Sequence, residues 1–242
     1  MTEPRVDVVM PTYGSPDYLD EAMRSVLAQT FTDFCLTVFD NGPGDGAAHE
    51  VVRRHLGDPR VRYDATGTVL PQRENWTRCI NAGSAPYVAM LHDDDTWAPG
   101  FLARRVAFLD AHPASGFVFS AMRDVDEQGG VIAEIPHRLS EGEHAPHDFV
   151  PFLLEEMIIG SPTPLVRRSA YADVGAAFTD DTHNNIDWDM WLRIALRHPV
   201  GYLEVRDCDR RVHGGSLTKG SKRWGAEELR IVNRFEALVE RD

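Results

Sequence analysis

The sequence predicts an α/β protein with a mostly parallel central sheet and helices on both faces. Short β-branched runs alternate with segments whose apolar residues recur at helical spacing. Segments rich in Gly, Pro, Asn and Asp separate these runs, as turns do. Polar clusters follow three of the predicted strands, and ligands bind at the carboxyl ends of strands in such sheets. These observations together favour a sheet that gathers a binding site along one edge.

The N-terminal elements alternate along the chain. Residues 6–10 predict a buried strand, and Ser15 and Pro16 predict a helix start, because Ser caps helices and Pro suits their first turn. Strands are predicted over 34–39, 61–63 and 87–91, and helices over 47–56, 72–82 and from Pro99 onwards. Strands that alternate with helices indicate βαβ units and a parallel sheet.

The C-terminal half has a different pattern. Residues 116–122 and 131–135 flank a Gly-containing turn and predict a hairpin. Helices are predicted over 149–159, 187–197 and 221–239. We place a boundary between two lobes near residue 112, with no flexible linker, and expect the lobes to pack as one unit.

Composition limits the classes of function. The formal net charge is −13, which argues against a nucleic-acid partner because phosphate binding needs a basic surface. Three widely spaced cysteines favour a reducing compartment over a disulfide framework. No apolar run reaches the roughly 18 residues of a membrane span, and the N-terminus does not resemble a signal peptide. We therefore expect a cytoplasmic protein.

Three adjacent carboxylates, Asp93, Asp94 and Asp95, follow the predicted strand 87–91. They repel one another, and a divalent cation is the simplest reason to place them together, since hard cations take oxygen ligands. In an extended segment only alternate side chains point the same way, so one or two of the three should reach the metal. The alternative is a solvated acidic turn ahead of the helix that starts at Pro99.

Three stretches carry a family resemblance. They are VDVVMPTYGSPDYLDEAMRSVLAQTFTDFCLTVFDNGPGD at the start, LHDDDTWAPGFL at 91–102, and DWDMWLRIALR at 187–197. The chain resembles the family 2 glycosyltransferases, which have the GT-A fold and invert the anomeric carbon, over residues 6–215. Two positions depart from the family pattern: His92 replaces the first acid of the D-x-D-D motif, and Ile186 replaces a Glu.

The resemblance implies a nucleotide site. Its residues would be Pro11, Thr12, Tyr13, Asp40, Arg73, Asn75 and Asp93. Asp40 would hydrogen-bond the base, and Asp93 would face the ribose or a metal-bound water. The donor would be a nucleoside-diphosphate sugar, with UDP or dTDP favoured by family habit. Residues 1–112 would form the nucleotide-sugar lobe and residues 113–242 the acceptor lobe.

The resemblance also implies a metal and an acceptor site. Asp94 would bind Mn²⁺ or Mg²⁺, with Asp95 behind it and His213 completing the metal or diphosphate site. Asp187 would be the catalytic base that takes a proton from a hydroxyl acceptor. The residues expected near the acceptor or sugar are His92, Trp188 and Asp189, although Trp188 fits the core equally well.

Three points stay open from the residues alone. The basic residues Arg210, Arg211, Lys219, Lys222 and Arg223 either close over the diphosphate or form a solvated face. A sugar-phosphate nucleotidyltransferase and a non-catalytic sugar-nucleotide-binding protein are the competing functions. PTYGSPDY has one Gly and no basic residue, which disfavours the nucleotidyltransferase. The loops 159–164 and 180–185 are expected to select the substrates.

Overall fold

The computed structural model describes residues 3–13, 17–42, 44, 46–135, 137–175, 178, 185–214 and 225–239. Among them the strands are β1 Val6–Thr12, β2 Phe34–Asp40, β3 Val61–Ala65, β4 Tyr87–Met90, β5 Thr96–Trp97, β6 Phe117–Val125, β7 Val131–Ile135, β8 Gly142–His144, β9 Leu165–Arg167 and β10 Val200–Arg211. The helices are α1 Leu19–Leu27, α2 Ala47–Arg53, α3 Gln72–Asn81, α4 Phe101–Ala111, α5 Pro146–Glu155, α6 Arg168–Asp173, α7 Ile186–Ala195 and α8 Ala226–Val239.

One sheet runs through the described part of the chain, in the order β3-β2-β1-β4-β9-β6-β10-β5. Strands β3, β2, β1 and β4 are parallel neighbours, as predicted. Strand β9 is antiparallel to both β4 and β6, and β6 and β10 are again parallel. Strand β7 is antiparallel to β6, which confirms the predicted hairpin, and β8 is antiparallel to β10. Strands from both sides of residue 112 therefore share the sheet, and the division into lobes stays a prediction.

Helices cover both faces of this sheet, as the sequence predicts. Strand β1 shows how the two sides form: Val6, Val8 and Met10 face one apolar cluster, which α1, α2 and α4 complete. Val9 faces the other cluster, to which α3, α5, α6, α7 and α8 contribute. Because successive side chains of a strand point to opposite faces, one β-branched run supplies both cores.

Several element boundaries differ from the sequence prediction. Helix α1 begins at Leu19 rather than at Pro16, and Ser15 and Pro16 lie outside the described residues. Helix α5 covers Pro146–Glu155 instead of 149–159. It starts earlier because Pro146 suits the first turn of a helix, and it ends earlier because the backbone of Glu156 has an extended conformation. Helix α8 is described only from Ala226.

Strand β10 was not predicted, although it is the longest strand described, with 12 residues. Its pairing with β6 is interrupted twice. Between Leu203 and Arg206, and again between Arg206 and Asp209, β10 contains extra residues relative to β6. Such bulges break the alternation of inward and outward side chains, so the pattern that identifies a strand in a sequence is lost.

A buried ion pair links α4 to β10. Arg105 is fully buried and donates from Nη1 and Nη2 to the two carboxylate oxygens of Asp207, each at 3.0 Å. Its guanidinium also donates to the Ser120 hydroxyl at 2.6 Å and to the Thr163 carbonyl at 2.8 Å. Burial acts to raise the pKa of Asp207, but Arg105 and Arg104 outweigh it and hold that pKa below its usual value. The pair is therefore ionised and fully hydrogen-bonded.

We expect Asp207→Asn to lower the free energy of unfolding by about 3–5 kcal/mol, because it leaves the buried Arg105 guanidinium without its counter-charge. Urea unfolding measures this change. Glu50→Gln is the control: it removes an exposed pair with Arg53 and should change the free energy of unfolding far less than Asp207→Asn does. Equal effects of the two substitutions would contradict the role of the buried pair.

Candidate functional site

The ends of β1, β2 and β4 bring the polar clusters together at one edge of the sheet. The Thr12 hydroxyl, at the end of β1, donates to Asp93 Oδ2 at 2.5 Å. The backbone N–H of Asn41, just after β2, donates to the Thr12 carbonyl at 3.0 Å. Parallel neighbours end at the same edge, which explains why segments far apart in sequence meet here.

The residues predicted to hold the nucleotide surround this edge. Pro11 and Thr12 are buried in β1, whereas the Tyr13 side chain is 65% exposed beside them. Asp40 is buried and accepts a hydrogen bond from the Tyr63 hydroxyl at 2.6 Å. One carboxylate oxygen of Asp40 is thus held by the protein, and the predicted contact with a base would fall to the other.

Helix α3 carries the two remaining predicted nucleotide contacts. Arg73 is half-buried in its first turn. Asn75 is buried, and its side-chain oxygen accepts a hydrogen bond from Arg78 Nη1 at 3.0 Å. Both stay predictions as nucleotide contacts.

The three adjacent carboxylates turn to three different partners. Asp93 accepts from Thr12, Asp94 Oδ2 lies 3.0 Å from Nε2 of His213, and Asp95 Oδ1 accepts from the backbone N–H of Arg211 at 2.9 Å. Burial raises the pKa of Asp93 to about 6. Burial, followed by the charge of Asp94, raises the pKa of Asp95 well above its ordinary value.

This arrangement fits a divalent cation. His92, Asp94 and Asp95 can each offer one atom such that the three atoms lie within 4.8 Å of one another. Asp95 is only 2% exposed, and a nearby positive charge would offset the cost of ionising it there. Imidazole together with carboxylates suits Mn²⁺ somewhat better than Mg²⁺. His92 thus joins the candidate ligands, although the sequence predicts it near the sugar.

Arg211 fixes the segment that carries these carboxylates. Its guanidinium donates to the backbone carbonyls of Asp94, Asp126 and Glu127, each at 3.1 Å, and to the Glu21 carboxylate at 2.7 Å. The guanidinium also lies over the Tyr18 ring, 4.5 Å from its centroid. Arg211 is therefore a structural clamp at the site.

The two arginines of β10, for which the sequence leaves a lid over the diphosphate and a solvated face open, are both held by other residues of the protein. Arg211 is buried, and Arg210 donates from Nε and Nη2 to the two Asp124 oxygens, both at 2.9 Å. Two parallel hydrogen bonds to one carboxylate leave the Arg210 fork occupied. Lys219, Lys222 and Arg223 lie outside the described residues.

Asp187 lies in the first turn of α7. Its Oδ2 accepts a hydrogen bond from the Ser161 hydroxyl at 2.7 Å, and its Oδ1 accepts from the backbone N–H of Trp188 at 3.0 Å. Burial raises the pKa of Asp187, and these donors together with His92 oppose the rise. A carboxylate with a raised pKa is a better proton acceptor than an exposed one.

Asp187 and Ser161 border a pocket whose other walls are apolar. The other lining residues are Trp76, Ile80, Met90, Pro164, Val166, Tyr171, Phe178, Met190 and Trp191. Trp76 stacks on His92 with 5.1 Å between the ring centroids. The stacked rings of Trp76 and His92 therefore separate the pocket of Asp187 from the acidic cluster, by which we mean the carboxylates Asp93, Asp94 and Asp95.

His92 lies close to the acidic cluster and to Asp187. Burial lowers the pKa of His92, and the charges of Asp94 and Asp187 act in the opposite direction. Its Nδ1 lies 3.7 Å from Asp95 Oδ2, and its buried Nε2 has no hydrogen-bond partner among the described residues. The imidazole thus stands between the carboxylate cluster and Asp187.

Two predicted acceptor residues point elsewhere. The Trp188 ring is buried in the core, and its indole N–H donates to the Leu153 carbonyl at 2.9 Å. Asp189 is fully buried and pairs with Arg193, at 2.9 Å, and with Arg234 of α8. Trp188 therefore packs in the core, which is the alternative that the sequence left open, and Asp189 links α7 to α8. Neither contact favours these residues as contacts of the acceptor.

Sequence reasoning gave no individual role to three residues of the site: Ser161, Trp76 and Tyr18. Ser161 belongs to the Pro-flanked loop 161–164, whose restricted backbone is a visible signal. Trp76 follows Asn75 on a predicted helix, where core packing is the usual interpretation of a tryptophan. Tyr18 is 5.3 Å from the His213 ring, centroid to centroid, a contact that no local pattern indicates.

Two solved structures share this fold. TarS 1-349 of S. aureus, in complex with UDP-GlcNAc, has a TM-score of 0.77 at 16% identity, over 96% of this chain and 66% of that chain. The mannosyltransferase PcManGT from Pyrobaculum calidifontis, in complex with GDP-Man and Mn²⁺, has a TM-score of 0.68 at 18% identity, over 99% and 65% of the two chains. These likenesses confirm the predicted GT-A fold.

Sequence comparison agrees with the fold. An uncharacterised glycosyltransferase of Methanocaldococcus jannaschii is 24% identical over 196 residues, which are 80% of this chain and 65% of the relative. The chain thus spans slightly less than two thirds of that relative. The sequence profile of Glycosyl transferase family 2 matches residues 7–174. The chain belongs to glycosyl transferase family 2.

Proposed function

We propose that the protein is an inverting, metal-dependent glycosyltransferase that moves a sugar from a nucleoside diphosphate to a hydroxyl acceptor. One observation carries this proposal: Asp187 borders a pocket whose Trp76 wall stacks on His92, which can share a metal ion with Asp94 and Asp95. A proton acceptor and a candidate cation site thus lie on either side of one pair of stacked rings, and transfer from a diphosphate to an alcohol needs both groups close together.

The nucleotide would lie along the ends of β1 and β2. Asp40 and the exposed Tyr13 ring would face the base, and Asp93 would face the ribose. TarS holds UDP-GlcNAc and PcManGT holds GDP-Man in the structures compared. We favour a UDP or dTDP donor, and a polysaccharide, glycoconjugate or natural product as the acceptor class.

Mn²⁺ or Mg²⁺ would be held by Asp94 and Asp95, with the imidazole nitrogens of His92 and His213 close to them. When bound, the cation would offset the charge of the diphosphate as the sugar leaves. The donor set, two carboxylates with imidazoles, suits Mn²⁺ somewhat better than Mg²⁺.

Asp187 would accept the proton of the acceptor hydroxyl. Its pocket is lined mostly by apolar and aromatic side chains, which exclude water and leave the carboxylate as a ready acceptor. One base opposite one leaving group means a single displacement, and a single displacement inverts the anomeric carbon. The sugar passes through an oxocarbenium-like state, as in glycoside hydrolysis.

The cytoplasm is the proposed location. Cys35, Cys79 and Cys208 are all free and buried, which suits a reducing compartment. In the described part of the chain, every helix is too short or too polar to cross a membrane.

A thermal-shift screen tests the donor. UDP, dTDP and GDP would each be added with and without Mn²⁺. Specific binding should raise the melting temperature, since a ligand at 100 times its Kd stabilises the folded state by about 2.7 kcal/mol. Stabilisation by none of the three nucleotides would count against the proposal.

We expect Asp94→Asn and Asp187→Asn to separate two roles. Asp94→Asn should abolish the Mn²⁺-dependent part of nucleotide stabilisation. Asp187→Asn should leave that stabilisation intact but reduce transfer by about 10²–10⁴-fold, because it removes the proton acceptor. Asp33→Asn, at an exposed position, is the control and should change neither. Equal loss of nucleotide binding in the first two variants would refute this division.

Asp93 should make the stability of the metal-free protein depend on pH. Burial raises its pKa from 3.8 to about 6, so its protonated form favours the folded state. Its stabilising contribution is complete below the unfolded pKa of 3.8 and is lost as the pH rises through about 6. Urea unfolding in EDTA should therefore show a weaker decline over this window for Asp93→Asn. Identical profiles for the variant and the wild type would contradict the raised pKa.

A further inference from the structure

The loop Gly160–Pro164 is fixed through its backbone. The Gly160 carbonyl accepts hydrogen bonds from the backbone N–H of Thr163 at 2.9 Å and from the Thr163 hydroxyl at 2.8 Å. The Pro162 carbonyl accepts from the indole N–H of Trp97 at 2.8 Å. The Thr163 carbonyl accepts from Nε of Arg105, also at 2.8 Å. Two of the three residues after Gly160, Pro162 and Thr163, thus have backbone carbonyls that accept hydrogen bonds from buried side chains.

Steric limits fix the loop further. A Cβ at Gly160 would lie 2.4 Å from the sulfur of Met122, so the backbone passes close to β6 where only glycine fits without a shift. Pro162 and Pro164 each lock one backbone dihedral. Ser161 lies between these fixed residues, and its side chain points towards α7.

The Ser161 hydroxyl contacts the carboxylate of Asp187 directly. It donates to Oδ2 at 2.7 Å while the Trp188 N–H donates to Oδ1 at 3.0 Å. Two donors on the two oxygens fix the rotation of the carboxylate plane, which a single donor would leave free. Each oxygen retains a lone pair for an incoming hydroxyl.

We propose that Ser161 is a positioning residue that holds the base Asp187 in its reactive orientation, with the loop Gly160–Pro164 as its rigid support. This inference rests on the proposed function, because it takes Asp187 as the base. The buried Arg105–Asp207 pair would support this orientation indirectly, since Arg105 holds the Thr163 carbonyl of the loop. Ser161 itself transfers no proton.

The test compares three variants under transfer conditions with a donor found in the thermal-shift screen. Ser161→Ala should lower kcat for transfer by about 10–100-fold, since a hydrogen bond to a charged group is lost and the carboxylate can rotate. The donor KM and the Mn²⁺-dependent nucleotide stabilisation should stay at wild-type values. Ser161→Thr keeps the hydroxyl and should restore most of kcat.

Ser115→Ala is the matched control. The Ser115 hydroxyl also donates to a carboxylate, that of Glu143, at 2.9 Å, but it precedes the start of β6, at the far end from the acidic cluster. Its loss should affect the melting temperature but not kcat.

Four outcomes would overturn the inference: Ser161→Ala retaining the kcat of Ser115→Ala, Ser161→Thr failing to restore kcat, a raised donor KM, or weakened nucleotide stabilisation in Ser161→Ala. The wild-type protein and Asp187→Asn separate the two proposals. If the wild-type protein transfers no sugar from any donor, the proposed function fails. If Asp187→Asn leaves transfer unchanged, the assignment of Asp187 as the base fails, and the positioning role of Ser161 fails with it. If Asp187→Asn reduces transfer while Ser161→Ala does not, only the positioning role fails.

Discussion

Three adjacent carboxylates impose the constraint around which this site is organised. They can coexist only if the fold separates them and offsets their charge, and the structure does so by giving each a different partner. Thr12 comes from β1, the Arg211 N–H from the end of β10, and His213 from the residues that follow it. The acidic cluster therefore requires β1 and β10, which are not neighbours in the sheet, to end at the same edge.

Two buried arginines hold the segments at this edge of the sheet in fixed positions. Arg211 is held among three carbonyls and one carboxylate, so the segment that carries Asp94 cannot move independently of the turn at 126–127. Arg105 does the same for the loop beside Asp187. Both arginines are buried, and both would be costly to leave unpaired. Their conformational restraint is therefore useful to a reaction that needs its groups within fractions of an ångström.

The sequence allows much of the fold to be predicted, since strands β1 to β4 are regular β-branched or apolar runs between turn residues. The acidic cluster is equally visible, because three adjacent Asp residues are rarely neutral to folding. Long-range partners are not visible. That Asp189 pairs with Arg234, or that Arg210 is occupied by Asp124, depends on packing between segments far apart in sequence. The bulges of β10 hide that strand for a different reason, because they break its alternation.

Those bulges decouple the two ends of β10. Residues before Leu203 pair with β8, whereas residues after Asp209 lead to the clamp at Arg211. In an uninterrupted strand, one inserted residue would turn every later side chain to the opposite face. Here the irregular middle can absorb such a change. The half of the strand remote from the acidic cluster can therefore differ in length without changing the position of Arg211.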